Sequence, residues 1–130
     1  MNEQGRFGAG ELNVLGEALV PCSSAPLTGF YRTGYCAVGP DGAAVHLVCI
    51  EASASFLDYS KTVGNDLSTP MPQFAFPGFV GGDRWCLVAQ RWWQAHEAGM
   101  APRVFLRSTN QAVLGFIPLA VLRAYALDLN

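Results

Sequence analysis

The sequence predicts an α+β fold, a small antiparallel or mixed sheet packed on three to four helices in a single compact domain. Three observations carry that expectation. Hydrophobic residues make up 51% of the 130 positions and charged residues only 14%, a core-forming balance opposite to that of a disordered chain. Residues 43–51 form a nearly continuous apolar run rich in β-branched side chains, while residues 83–98 carry an apolar stripe at helical spacing. Strand-like segments come first and helical ones later, which is the α+β order.

Residues 1–10 (MNEQGRFGAG) are polar and Gly-rich, a mobile lead-in to a domain over 11–130. Between 11 and 40, short apolar stretches alternate with turn chemistry at residues 21–24, 26–29 and 33–34. Gly39-Pro40-Asp41-Gly42 is the strongest turn, because Pro presets one dihedral and Gly accepts positive φ. The run 43–51 that follows lacks alternation, so it reads as a central strand buried on both faces. A helix is expected over 55–63, with Ser55 and Asp58 as a capping box, Gly64 as its stop, and Phe56, Tyr59, Ser60 and Val63 on one face.

Residues 64–82 have no periodicity but contain Phe74, Phe76 and Phe79, which are worth burying; they read as an ordered loop over the core. Asp83 is a good N-cap for a helix over 83–98, in which Trp85, Val88, Ala89, Trp92, Ala95 and His96 share a sector. A strand over residues 85–89 is the competing reading, and periodicity continuing through Trp92 favours one helix. Residues 103–107 suggest a short strand, and 110–116 a helix. Pro118 then suits the first turn of a last helix with Leu119, Leu122 and Tyr125 on one face.

Three phrases carry a resemblance: Pro21-Cys22-Ser23 running on to Pro26-Leu27-Thr28-Gly29-Phe30-Tyr31-Arg32, then Gly64-Asn65-Asp66-Leu67-Ser68-Thr69-Pro70, and Gly82-Asp83-Arg84-Trp85-Cys86-Leu87. Together with Arg91-Trp92 and Ala98-Gly99, the chain resembles small bacterial proteins grouped as number twenty-two thirty-seven in the domain-of-unknown-function series. The resemblance runs from about residue 12 to 129. It implies neither an activity nor a cofactor.

Composition excludes several function classes. A net charge of −2 with one lysine, Lys61, and seven arginines argues against nucleic acid, which demands clustered cations. No apolar run approaches the ~18 residues of a membrane helix, and the polar N-terminus lacks a signal-peptide core, so a cytoplasmic protein is expected. No P-loop or dinucleotide fingerprint is present, and no cofactor is expected.

The cysteines Cys22, Cys36, Cys49 and Cys86 contain no Cys-x-x-Cys pair, and His46 and Cys49, three apart on a strand, point to opposite faces. No metal is therefore expected. Without an export signal, disulfides are disfavoured and buried free thiols expected.

Cys86 is nevertheless a candidate nucleophile. Three residues into the expected helix, its thiolate would be stabilised by free N–H groups and the helix dipole, with His46 as the available base. His46 as an ordinary hydrogen-bonded core histidine is the alternative. A second candidate is a polar pocket. Asn65, Asp66, Ser68 and Thr69 would supply its oriented contacts, with Arg32 and Arg84 clamping an anion. The same residues could instead cap local turns, with Arg84 pairing Asp66. The expected partner is a small anionic or polar ligand. A homodimer through an apolar patch near Phe74, Phe79 or Trp93 is the non-catalytic alternative.

Overall fold

A computed structural model of the chain describes residues 8–24, 27–39, 44–74, 76 and 78–128. Most of the expected lead-in and the turn at 40–42 lie outside the described residues. Among the described residues the architecture is a three-stranded antiparallel sheet with three α-helices and short 3-10 turns. Strand β1 (His46–Glu51) is central, flanked by β2 (Arg84–Val88) and β3 (Arg103–Val104) in the order β2-β1-β3. The burial of Leu47, Val48, Cys49 and Ile50 agrees with the unalternating apolar run.

Helix α1 (Ala54–Thr62) lies where a helix is expected, but Ser53 rather than Ser55 is its N-cap, its hydroxyl accepting from the Phe56 N–H at 3.2 Å. Its buried side chains are Phe56, Leu57 and Ser60. Gly64 follows with φ of +88° and donates its N–H to the Lys61 carbonyl, a turn that a side chain would strain.

The expected helix over 83–98 is the main correction. Residues 84–88 are β2, and α2 (Ala89–Glu97) begins directly after it. Trp85, Cys86 and Leu87 are buried in succession, a run that satisfies strand and helix patterns alike. Pairing decided the outcome: β1 offers its backbone to Leu87, Cys86, Trp85 and Arg84 opposite Val48, Cys49, Ile50 and Glu51. Asp83 consequently caps no helix; its carboxylate accepts from the Val80 N–H at 3.0 Å and closes the preceding turn.

The described residues of the long segment before it pack over the core, with a 3-10 turn at Pro72–Phe74. Phe79 is buried against Trp85, ring centroids 4.3 Å apart, with Phe76 edge-on to both. Trp92 is fully buried on α2, as its stripe implies, and donates its indole N–H to the Pro102 carbonyl.

Downstream elements are shorter than the sequence suggests. The strand expected over 103–107 is only β3, after which Leu106–Ser108 turn as a 3-10 helix. The Asp128 carboxylate takes the Leu106 and Arg107 N–H groups at 2.7 and 2.9 Å, diverting them from any ladder. The helix expected over 110–116 is a 3-10 helix, Gln111–Gly115, capped by Asn110. Helix α3 (Leu119–Arg123) starts after Pro118 and buries Leu122.

The cysteines are the second correction. The expected free thiols are paired, Cys22 with Cys49 and Cys36 with Cys86, at Cα separations of 5.6 and 5.3 Å. Separations of 27 and 50 residues concealed these pairs. Cys49 and Cys86 become neighbours only when β1 and β2 align, and the Cys22 N–H bond to the Gly34 carbonyl brings the other two ends together. No helix among the described residues is long and apolar enough to cross a membrane.

Candidate functional site

The residues expected to share one pocket make their contacts with different partners. Asp66 serves its own turn. One carboxylate oxygen accepts from the Ser68 and Thr69 N–H groups and the other from the Thr69 hydroxyl at 2.6 Å. The Thr69 hydroxyl first, then the Ser68 amide, hold this exposed carboxyl below the usual range. Asn65 is tied through its backbone to Ser60, whose hydroxyl donates to the Asn65 carbonyl at 2.6 Å. The Arg84 guanidinium lies 3.9 Å from the Phe105 ring centroid instead of on Asp66.

Cys86 sits on β2, not at a helix start, is fully buried, and is bonded to Cys36. No cysteine among the described residues is free, so this oxidised state holds no thiolate nucleophile among them. His46 lies three residues along β1 from Cys49, which stands opposite Cys86 on the neighbouring strand, and three residues span about 10 Å at strand rise. Of the expected dimer patch, Phe79 is buried and Trp93 half-buried, and the Phe74 side chain lies outside the described atoms.

Two expected site residues do come together. Arg32 is the one non-glycine with positive φ (+55°) among the described residues, and its guanidinium lies 4.9 Å from the Trp85 ring centroid. One terminal nitrogen donates to the Gly29 carbonyl at 2.7 Å, whereas Nε is buried without a partner. His46 is half-buried with its Nδ1 likewise unpartnered, so it is not the hydrogen-bonded core histidine weighed from the sequence. Burial first, and the Arg32 charge second, push the imidazole below its ordinary value. Burial also lowers Arg32, which stays a cation at any ordinary pH.

An open concavity lies elsewhere. A cleft of about 610 Å³ runs between the end of α2, β3 and the end of α3, lined by His96, Ala101, Arg103, Val121, Ala124 and Tyr125. The His96 Nδ1 and the Tyr125 hydroxyl are 3.0 Å apart, and the His96 ring stacks on buried Trp92 with a 5° interplanar angle. A smaller cleft of about 290 Å³ adjoins it, sharing Ala101 and Arg103 and bringing Glu51 and Ser53 to the rim. Sequence reasoning placed His96 and Tyr125 on apolar stripes and passed over Arg103. The residues meet because β3 pairs beside Glu51, a contact with no local signature.

Residues 12–126 match a family described as an uncharacterized protein conserved in bacteria (DUF2237). No curated protein matches the chain.

Proposed function

The chain belongs to this uncharacterised bacterial family, and from its structure we propose a binding module for a small anionic or polar molecule, held in the cleft between α2, β3 and α3. The observation that supports this reading is the cleft itself. Its volume of about 610 Å³ falls within the ~300–1,000 Å³ of ligand sites. Ala101, Val121 and Ala124 give it apolar walls, while Arg103, His96 and Tyr125 supply the few polar groups that orient a ligand. Arg103 is exposed and can meet a carboxylate or phosphate with two parallel N–H bonds.

The test is a thermal-shift and NMR titration with inorganic phosphate and a series of small carboxylates. Arg103→Ala should weaken binding by about 10–100-fold, the worth of a charge-assisted pair, while the apo melting temperature barely moves. A variant that binds as tightly as the parent overturns the assignment.

A second reading keeps the anion at Arg32 and His46, favoured by their two buried, unpartnered nitrogens. The same titration distinguishes the two, because there Arg32→Gln abolishes binding and Arg103→Ala does not.

A further inference from the structure

Four sulfurs meet on one side of the sheet. Cys49 on β1 lies opposite Cys86 on β2, and Cys22 and Cys36 reach them from the stretch between residues 21 and 39, whose described residues form no helix or strand. The Sγ atoms of Cys22, Cys36 and Cys49 lie within 4.8 Å of one another, although Cys36 belongs to a different disulfide from the other two. The two cross-links therefore touch. All four residues are buried, with Phe105 packed against them.

We propose that the reduced protein binds one zinc-class divalent cation through Cys22, Cys36, Cys49 and Cys86, so that the same sulfurs form two disulfides under oxidising conditions and a tetrathiolate centre under reducing ones. Tetrahedral coordination at Zn–S distances of ~2.3 Å places the sulfurs ~3.8 Å apart. The Cys36 sulfur already lies within 4.8 Å of those of Cys22 and Cys49, and Cys86 is brought to them through its bond to Cys36. Each bonded pair has to part by less than about 2 Å to reach the tetrahedral spacing. An all-sulfur donor set selects a borderline or soft cation over magnesium or calcium.

The chemistry balances. A dithiol reductant gives each disulfide two electrons and two protons and is itself oxidised to a disulfide. Four thiols result, and the cation displaces four protons from them, leaving a centre of charge −2. The Arg84 guanidinium, over the Phe105 ring that packs against the cysteines, is a cation on that side that would offset part of the charge. The strand cysteines are held by buried hydroxyls: Cys86 N–H donates to Thr28 Oγ1 at 2.8 Å and Cys49 N–H to Thr109 Oγ1 at 3.2 Å. Half of the site is thus preorganised on the sheet. Cys22 and Cys36 come from the stretch 21–39, whose described residues form no helix or strand. The cation would keep that segment docked once the disulfides open, a state otherwise left to four buried thiols.

The experiment uses the full chain, reduced anaerobically with a phosphine and freed of metal, then titrated with Zn²⁺ and with Co²⁺ as a spectroscopic stand-in. Native mass spectrometry should show one zinc per chain with four protons lost. Cobalt should give thiolate charge-transfer and tetrahedral visible bands, and zinc should protect all four cysteines from alkylation. The oxidised protein should bind neither ion. Cys36→Ser should weaken zinc by more than the ~10–100-fold that loss of a supporting outer-shell group costs. If the reduced chain loses structure, zinc should restore its circular dichroism, so unfolding does not hide the answer. Reduced protein that takes up no zinc, folded or unfolded, overturns the proposal. So does a Cys36→Ser variant with parental affinity.

Discussion

Removing either cross-link should destabilise the protein by several kcal/mol, through the denatured chain more than through lost contacts. The variants are the pairs Cys22→Ala with Cys49→Ala, and Cys36→Ala with Cys86→Ala. With sequence separations of 27 and 50 residues, loop-closure entropy gives about 3.5 and about 4 kcal/mol at 25 °C. Logarithmic dependence on loop length keeps the two within about 0.6 kcal/mol of each other. The loops interlock, since Cys36 lies inside the first and Cys49 inside the second, so removing both should cost less than the sum. Against a typical total of about 5–15 kcal/mol, either loss is a large fraction. Guanidinium unfolding in oxidising, chelator-containing buffer, followed by the fluorescence of buried Trp92, measures it. The denaturant slope should rise as the unfolded chain expands. A loss below about 1 kcal/mol for either pair refutes the reasoning.

Other substitutions test the fold. Asn110 joins three segments: its amide donates to Glu11 Oε1 at 2.7 Å and the Cys36 carbonyl at 3.0 Å, and its oxygen accepts from the Ala112 N–H. Asn110→Ala should cost about 2–4 kcal/mol by denaturant unfolding, because buried partners lose their bonds; a cost under about 1 kcal/mol contradicts this. Gly29 has φ of +94°, and a Cβ there would lie 2.1 Å from the Tyr35 carbonyl oxygen, whereas Gly16 at +78° has open space. Gly16→Ala should therefore lose only about 1–2 kcal/mol, and Gly29→Ala at least about 2 kcal/mol more; equal melting temperatures would contradict this. His46 should make the protein acid-sensitive. Its imidazole is held below its ordinary 6.5 by burial and then by Arg32, so the unfolded state takes the proton first. That stability is present above about pH 6.5 and is lost as pH falls towards the folded value. His46→Gln should flatten the fall in melting temperature between about pH 7.5 and 5, in the window set by the same ionisation; an unchanged slope removes His46 as its source.

Much of this architecture was legible in residue patterns. The run through Leu47 to Ile50 announced a strand buried on both faces, and it is the middle strand. The helix after it and its glycine stop were readable because both signals are local, although the cap is Ser53 and not the expected Ser55. Trp85 to Leu87 was not, since a short, wholly apolar run suits both periods and only a partner strand chooses between them. The polar phrase around Asp66 was visible as chemistry, but its hydrogen bonds are spent within four residues. Arg103 gave no signal, because a lone arginine becomes part of a cleft only through what packs around it.

The sequence alone determined a weakly charged, aromatic-rich core with a central strand, because composition and short-range periodicity are properties of neighbours in the chain; its place in a bacterial family rests instead on matching sequence phrases. Tertiary structure decided the rest. Cysteines 27 and 50 residues apart meet, and Arg103, His96 and Tyr125 line one cleft. Such contacts depend on which strands pair and which helix ends abut. That choice is made by burial of the whole core, and no local stretch encodes it.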